Sequence, residues 1–133
     1  RARGNRPDGT PWAIALGAPE GERRAGMGVV ELGDAAIATS GDYRHFFEDR
    51  GRRYAHRINP RTGYPVDNAI ASVTVMSTLG IDADPLATAL SVLGVEAGLE
   101  FANQRGLAVM FILRTDEGFK EVMTPAFEAL LSQ

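Results

Sequence analysis

Cysteine is absent from the 133 residues, which excludes disulfides and thiolate chemistry and leaves the redox compartment open. Lysine occurs once, at Lys120, so 13 of the 14 basic residues are arginine. Arginine suits planar, bidentate recognition of phosphate better than lysine, so the placement of these residues carries more information than their number. No apolar run approaches the ~18 residues that cross a bilayer as a helix. Neither of the common nucleotide fingerprints, G-x-G-x-x-G or the Walker pattern, is present. No Ser-His-Asp grouping is supported by the order of these residues, and a formal charge of −3 argues against a general nucleic-acid binder. Internal repeats, low-complexity tracts and clean linkers are also missing, so residues 1–133 read as a single unit. The chain does not begin with Met; Arg-Ala-Arg-Gly leads at once into a turn and a strand. It reads as one that starts mid-protein, the expectation being an N-terminal half that is cleaved, absent or a separate chain.

What is present is ordinary globular material. Hydrophobic residues make up 44% and charged residues 23%, enough apolar surface to offset chain entropy. The charge is uneven. Residues 44–61 carry a net +4, whereas residues 62–133 carry a net −6. A basic middle beside an acidic tail suggests an anion site next to a cation site, or simply a solvated arginine-rich loop.

Short strands are expected in the first half. Residues 12–16 are apolar between Pro11 and Gly17, and residues 28–32 and 35–39 flank Gly33-Asp34, a two-residue hairpin signal. Residues 52–58 offer another strand, and residues 71–78 alternate with β-branched side chains as a half-buried strand does. From Pro85 the period changes to a helical stripe of Leu86, Leu90, Leu93, Ala97 and Phe101, with Gly94 and Gly98 as expected breaks. Gly106 sits where a helix ends. Residues 107–113 read as a buried strand paired with 119–123, and Thr124-Pro125 as the start of a last helix. Trp12 and the six phenylalanines are expected in the core, His45 partly buried. Antiparallel strands followed by helices give an α+β class.

Three segments carry chemistry. Residues 38–43 (Ala-Thr-Ser-Gly-Asp-Tyr) place small hydroxyl residues and Gly41 directly after a strand, so that backbone N–H groups can approach a phosphate or a ligand ring. An ordinary strand-to-turn junction looks the same. Residues 56–63 (His-Arg-Ile-Asn-Pro-Arg-Thr-Gly) gather an imidazole, two guanidiniums, an amide, a hydroxyl and a glycine. That set suits a pyrophosphate held by charge-assisted contacts and a backbone nest, with His56 able to take a proton near neutral pH. A basic hairpin with a surface histidine is the plainer reading. Residues 82–88 (Asp-Ala-Asp-Pro-Leu-Ala-Thr) put Pro85 at a first helical position and Asp84 at its N-cap, with Thr88 one turn along. A carboxylate and a hydroxyl there can hold Mg²⁺ together with water or substrate phosphate, and plain capping needs Asp84 alone.

In this order the three segments resemble the ApbE family, the FAD:protein FMN transferases. Its members show Ala-Thr-Ser-Gly-Asp-Tyr, then His-Ile-Ile-Asp/Asn-Pro-Arg-Thr-Gly, then Ala-Asp-Ala-Leu-Ala-Thr-Ala. Residues 38–43, 56–63 and 83–89 stand in those places, residues 11–15 look like the preceding strand, and Leu93-Gly94 like the end of the metal-site helix. Arg57 stands where the family usually has an apolar residue, Asn59 is an accepted variant, and Pro85 replaces an alanine. Proline at a first helical turn loses no needed N–H, so the metal site is expected to survive.

The resemblance implies an antiparallel sheet with helices, T-fold-like, this chain being the C-terminal half of a larger ApbE-type domain. It implies Mg²⁺-dependent transfer of FMN from FAD to a threonine hydroxyl of a target flavoprotein, with release of AMP. Asp84 and Thr88 carry over as magnesium ligands. His56 carries over as a flavin-site residue and candidate base. Ser40, Gly41, Arg61, Thr62 and Gly63 line the same cleft. Partners implied are FAD, the acceptor flavoprotein, and the N-terminal half or a second chain; an exposed edge also suggests a homodimer. Family members work at the outer face of the cytoplasmic membrane or in the periplasm, often lipid-anchored. Two other readings share these residues, an FAD pyrophosphatase that releases FMN and AMP to water, and a flavin-binding module without turnover.

Overall fold

The computed structural model of the chain describes residues 1–17, 28–42 and 46–131. The elements run β1 (Trp12–Ala15), β2 (Val29–Leu32), β3 (Ala36–Gly41), β4 (Phe46–Asp49), β5 (Arg52–Ala55), β6 (Ile70–Ser77), α1 (Gly80–Leu93), α2 (Val95–Gln104), β7 (Ala108–Thr115), β8 (Gly118–Met123) and α3 (Pro125–Glu128). A four-stranded antiparallel sheet of order β3-β6-β7-β8 forms the centre, and β1-β2 and β4-β5 are separate antiparallel pairs. The class is α+β, as the sequence indicates.

The two faces of the sheet bury different clusters. Val73 and Val75 of β6 and Val109 and Phe111 of β7 meet Ala83, Ala87 and Leu90 of α1 and Ala102 of α2. On the other face Met76, Met110 and Ile112 meet Val30 and Leu32 of β2 and Phe127 of α3. Side chains alternate along a strand, so one sheet serves both layers. A register shift between Ile70 and Ser72 changes that parity, which lets Ile70 join Val73 and Val75 on the helical side. Full burial of a side chain such as Phe111 or Phe127 contributes roughly 1.5–3 kcal/mol each.

β6 is therefore buried on both faces, where its alternation predicts one solvated face. Its polar positions Ser72 and Thr74 are 2% and 3% exposed. Thr74 stays satisfied because its hydroxyl lies 2.9 Å from that of Thr39 on β3.

Several sequence expectations are corrected. Gly33-Asp34 does not close a hairpin: β2 pairs with β1 and β3 with β6, so the turn passes the chain from one sheet to another. The strand expected over 52–58 stops at Ala55, because its partner β4 is only four residues long. Trp12 and Phe47 are 40% and 53% exposed rather than core; Phe47 stacks on Tyr54 of β5 with ring centroids 5.1 Å apart. Gly98 does not break a helix. It lies inside α2, where the absent side chain lets the helix approach Phe111, while Gly94 (φ 89°) alone separates α1 from α2. His45 and Tyr43 lie outside the described residues.

α1 begins at Gly80, with Leu79 at its N-cap and no capping side chain. Asp84 and Pro85 are thus inside the helix, not at its start. The apolar Leu79-Gly80-Ile81 carries none of the usual start signals, whereas Asp84-Pro85 imitates one. Pro85 has no N–H, so the Ile81 carbonyl loses the donor that an ordinary residue at position 85 would offer.

Candidate functional site

β3 and α1 run side by side on the helical face of the sheet, which brings the first and third chemical segments together. Ser40, at the end of β3, has its Oγ 3.5 Å from Oγ1 of Thr88 on α1. The second segment joins them through Arg57, whose Nη1 donates to Ser40 Oγ at 3.0 Å. Three stretches separated by 17 and 48 positions along the chain thus meet at one hydroxyl.

Arg57 is one of the two guanidiniums of the second segment but not one of the residues the resemblance carries over. It is 9% exposed, and its Nε is buried with no hydrogen-bond partner among the described residues. Nearby, Asp42 is gripped by Arg114 through both guanidinium nitrogens, and Arg114 Nη1 also reaches the Ile70 carbonyl at 3.3 Å. Burial pushes the Arg57 pKa down from its ordinary value; Asp42 pulls it up and Arg114 pushes it down. In the sequence Arg57 stands only as the second guanidinium of residues 56–63 and as a departure from an apolar position; nothing local marks its burial.

His56 is exposed, on the segment leading out of β5. Its neighbour Arg57 is buried.

The turn over 59–64 is built from its own groups. Asn59 Oδ1 accepts from Arg61 N at 2.9 Å, and the Asn59 carbonyl accepts from Thr62 N and Gly63 N. Thr62 Oγ1 accepts from Tyr64 N at 3.2 Å, and Ile58 bridges to Pro65. Gly63 has φ 72°, a conformation suited to glycine. Four successive N–H groups are therefore committed to the turn. The backbone nest expected for a pyrophosphate is not free to act, whereas the side chains of Arg61 and Thr62 are exposed. Asn68 anchors the loop to α1 by donating to the Ser91 carbonyl at 2.9 Å while accepting from Ile70 N.

Between this turn and α1 lies a groove of about 410 Å³ lined by Asn59, Pro60, Arg61, Ala89, Val92 and Leu93. Its wall on α1 is apolar and starts one residue after Thr88. Its apolar wall faces a lining that includes Arg61, which is the chemistry for a partly apolar group beside a charge.

Asp84 and Thr88 are both exposed and one turn apart on α1, with Cβ atoms about 5–6 Å apart by helix geometry. Ile81 lies on the same face, and its carbonyl has no donor from Pro85. The donor set is all oxygen, which fits a hard cation such as Mg²⁺ at an open site completed by water or phosphate. It does not form a closed cage: no group of three His, Asp or Glu residues is gathered among the described residues. No described helix is long and apolar enough to cross a membrane.

The sequence profile of the ApbE family matches residues 1–111. The chain is 45% identical over 133 residues to an FAD:protein FMN transferase of Vibrio cholerae and 46% identical over 132 residues to one of Haemophilus influenzae. These alignments take in 100% and 98% of this chain but 40% and 38% of the relatives, so the chain spans about two fifths of their length. The crystal structure of the Pseudomonas stutzeri flavinyl transferase ApbE superposes with a TM-score of 0.84 at 43% identity, over 98% of this chain and 40% of that one. The apbe protein of Thermotoga maritima keeps the fold at 28% identity, with a TM-score of 0.81. With three ordered motifs converging on one hydroxyl and a profile match over most of its length, the chain belongs to the ApbE family.

Proposed function

We propose that this chain carries the metal and diphosphate corner of an enzyme that transfers FMN from FAD to a threonine hydroxyl of a target flavoprotein, releasing AMP. The observation that carries this reading is the link Arg57–Ser40–Thr88, which joins all three chemical segments in one place. The names of the relatives, FAD:protein FMN transferases, support the substrate and the reaction type.

In this reading Asp84 and Thr88 hold Mg²⁺ through a carboxylate oxygen and a hydroxyl oxygen. When bound, the ion supplies positive charge to the diphosphate oxygens and to the departing phosphate. Arg61 and Thr62, on the exposed tip of the turn, hold the diphosphate in line with the acceptor. The groove along Ala89, Val92 and Leu93 takes a ring of the dinucleotide. The acceptor threonine Oγ forms a bond to the FMN phosphorus while the bond from that phosphorus to the bridging oxygen breaks. AMP leaves with the electron pair, and the hydroxyl proton passes to His56, an exposed imidazole that can accept it. Positioning and charge stabilisation dominate such phosphoryl-type transfers.

The test is product analysis. The protein is incubated with FAD, Mg²⁺ and an acceptor flavoprotein, and the products are separated by mass spectrometry. The expected result is FMN bound to an acceptor threonine and one AMP per transfer. Free FMN and AMP, formed equally without acceptor, would instead identify a pyrophosphatase. Bound, unchanged FAD would identify a carrier module.

A further inference from the structure

Arg57 is the feature of this corner that stability does not explain. Its side chain is buried, one N–H is matched to Ser40 Oγ at 3.0 Å, and its Nε has no partner among the described residues. An apolar residue of similar length in such a place is often neutral or better for stability than a half-satisfied cation. Among the described residues the charge is not cancelled locally either. Asp42, the carboxylate acting on Arg57, is held through both oxygens by Arg114, so the trio of Arg57, Arg114 and Asp42 carries a net positive charge. The two links of 3.0 and 3.5 Å place the Arg57 guanidinium within about 7 Å of Thr88 Oγ1. At that range, and from a buried position that mobile ions screen poorly, the field of Arg57 reaches whatever binds at Thr88.

We infer that Arg57 is a fixed buried charge that couples the two ligands of this corner, opposing a lone divalent cation at Asp84 and Thr88 and favouring the diphosphate that arrives with it. The inference rests on the proposed reading that Mg²⁺ and the FAD diphosphate meet at these two residues. Its logic is one of sign. A single positive charge repels a dication and attracts a diphosphate dianion by similar amounts at similar distances. The metal site is then weak when flavin is absent and becomes strong when FAD is present. Arg57 is a positioning residue in this sense: it acts on the ligands through its field and through Ser40, without touching the reacting atoms.

At a separation of about 8 Å and an effective dielectric between that of a protein surface and water, the effect is on the order of ten-fold on each affinity. The opposite signs separate this role from a structural one, which would move both affinities together.

The experiment uses calorimetry on the protein and on its Arg57→Met, Arg57→Lys and Asp84→Ala variants, with melting followed by circular dichroism. The probes are MgCl₂ alone, and FAD at saturating Mg²⁺. Arg57→Met is expected to bind Mg²⁺ alone about ten-fold more tightly and FAD about ten-fold more weakly, with an unchanged or higher Tm. Arg57→Lys keeps the charge and is expected to stay near the parent protein for both. If Arg57→Met fails to fold, Arg57→Gln, which keeps a donor for Ser40 without the charge, carries the same expectation. Two affinities that move in the same direction, that do not move, or that change equally in Arg57→Lys overturn the inference. The underlying reading fails separately: it falls if Asp84→Ala binds Mg²⁺ and FAD as the parent does.

Discussion

Thr124 offers the sharpest test of how the sheet and its last helix are joined. The residue is 1% exposed, and its hydroxyl is fully used. Oγ1 donates to the Leu107 carbonyl at 2.8 Å and accepts from Val109 N at 3.1 Å and from Phe127 N at 3.3 Å. It therefore caps α3, ties α3 to β7, and satisfies a buried backbone donor at once. Thr124→Val keeps the shape and removes the hydroxyl. Phe127 N retains the Thr124 carbonyl at 2.9 Å, so the cap is weakened rather than abolished, at a cost of about 1 kcal/mol. Val109 N is left buried without a partner, which costs about 1–3 kcal/mol more. The expected total is about 2–4 kcal/mol, or a Tm lower by roughly 6–15 °C for a chain of this size. Thr124→Ser keeps all three hydrogen bonds and loses one buried methyl, about 1 kcal/mol. Thermal and urea denaturation followed by circular dichroism measure both. Equal losses in the two variants would refute the reasoning, because the hydroxyl would then contribute nothing beyond the volume it fills.

Three further outcomes follow from packing and backbone. Gly98→Ala gains about 1 kcal/mol of helix propensity but sets a Cβ 2.9 Å from Phe111 Cζ, so thermal denaturation should show a net loss of about 1–2 kcal/mol. Pro85→Ala restores the donor for the Ile81 carbonyl and should stabilise α1 by about 1–3 kcal/mol, seen as a raised Tm; an unchanged or lower Tm contradicts the helix-interior placement. Asp67→Asn removes an ion pair with Arg52 whose side chains are 63% and 75% exposed, and should change stability by less than about 1 kcal/mol in urea titration.

The sequence is most legible where local chemistry and tertiary structure agree. The β7-β8 hairpin around 116–118, the Thr124-Pro125 helix start and the glycine at 106 (φ 62°) each have a local cause, and each is found where the residues indicate. The first half is harder because its strands pair with distant partners. Gly33-Asp34 has hairpin chemistry, yet the pairing of β3 with β6, some 35 residues away, decides its role. At α1 a local signal misleads: Asp84-Pro85 imitates a helix start, while the real start at Gly80 is set by packing of Ala83 and Ala87 on β6. The candidate site is legible as residue types in order, and Ser40 and Thr88 do come together. What the order could not convey is Arg57, since burial of an arginine depends on Asp42, just past β3, and Arg114 of β7 converging on it. The inward commitment of the backbone N–H groups over 61–64 is equally invisible until the Asn59 side chain is placed.

The central claim is that the exposed oxygens of Asp84 and Thr88, one helical turn apart and joined to Arg57 through Ser40, form a magnesium-dependent FAD site. The most direct measurement is a calorimetric titration of FAD into the protein with Mg²⁺ and with EDTA, repeated on Asp84→Ala and Thr88→Val. The account predicts binding that requires Mg²⁺ and that falls at least ten-fold in each variant, a loss of about 1.4 kcal/mol or more. FAD binding of equal strength with and without Mg²⁺, unchanged in both variants, would contradict it.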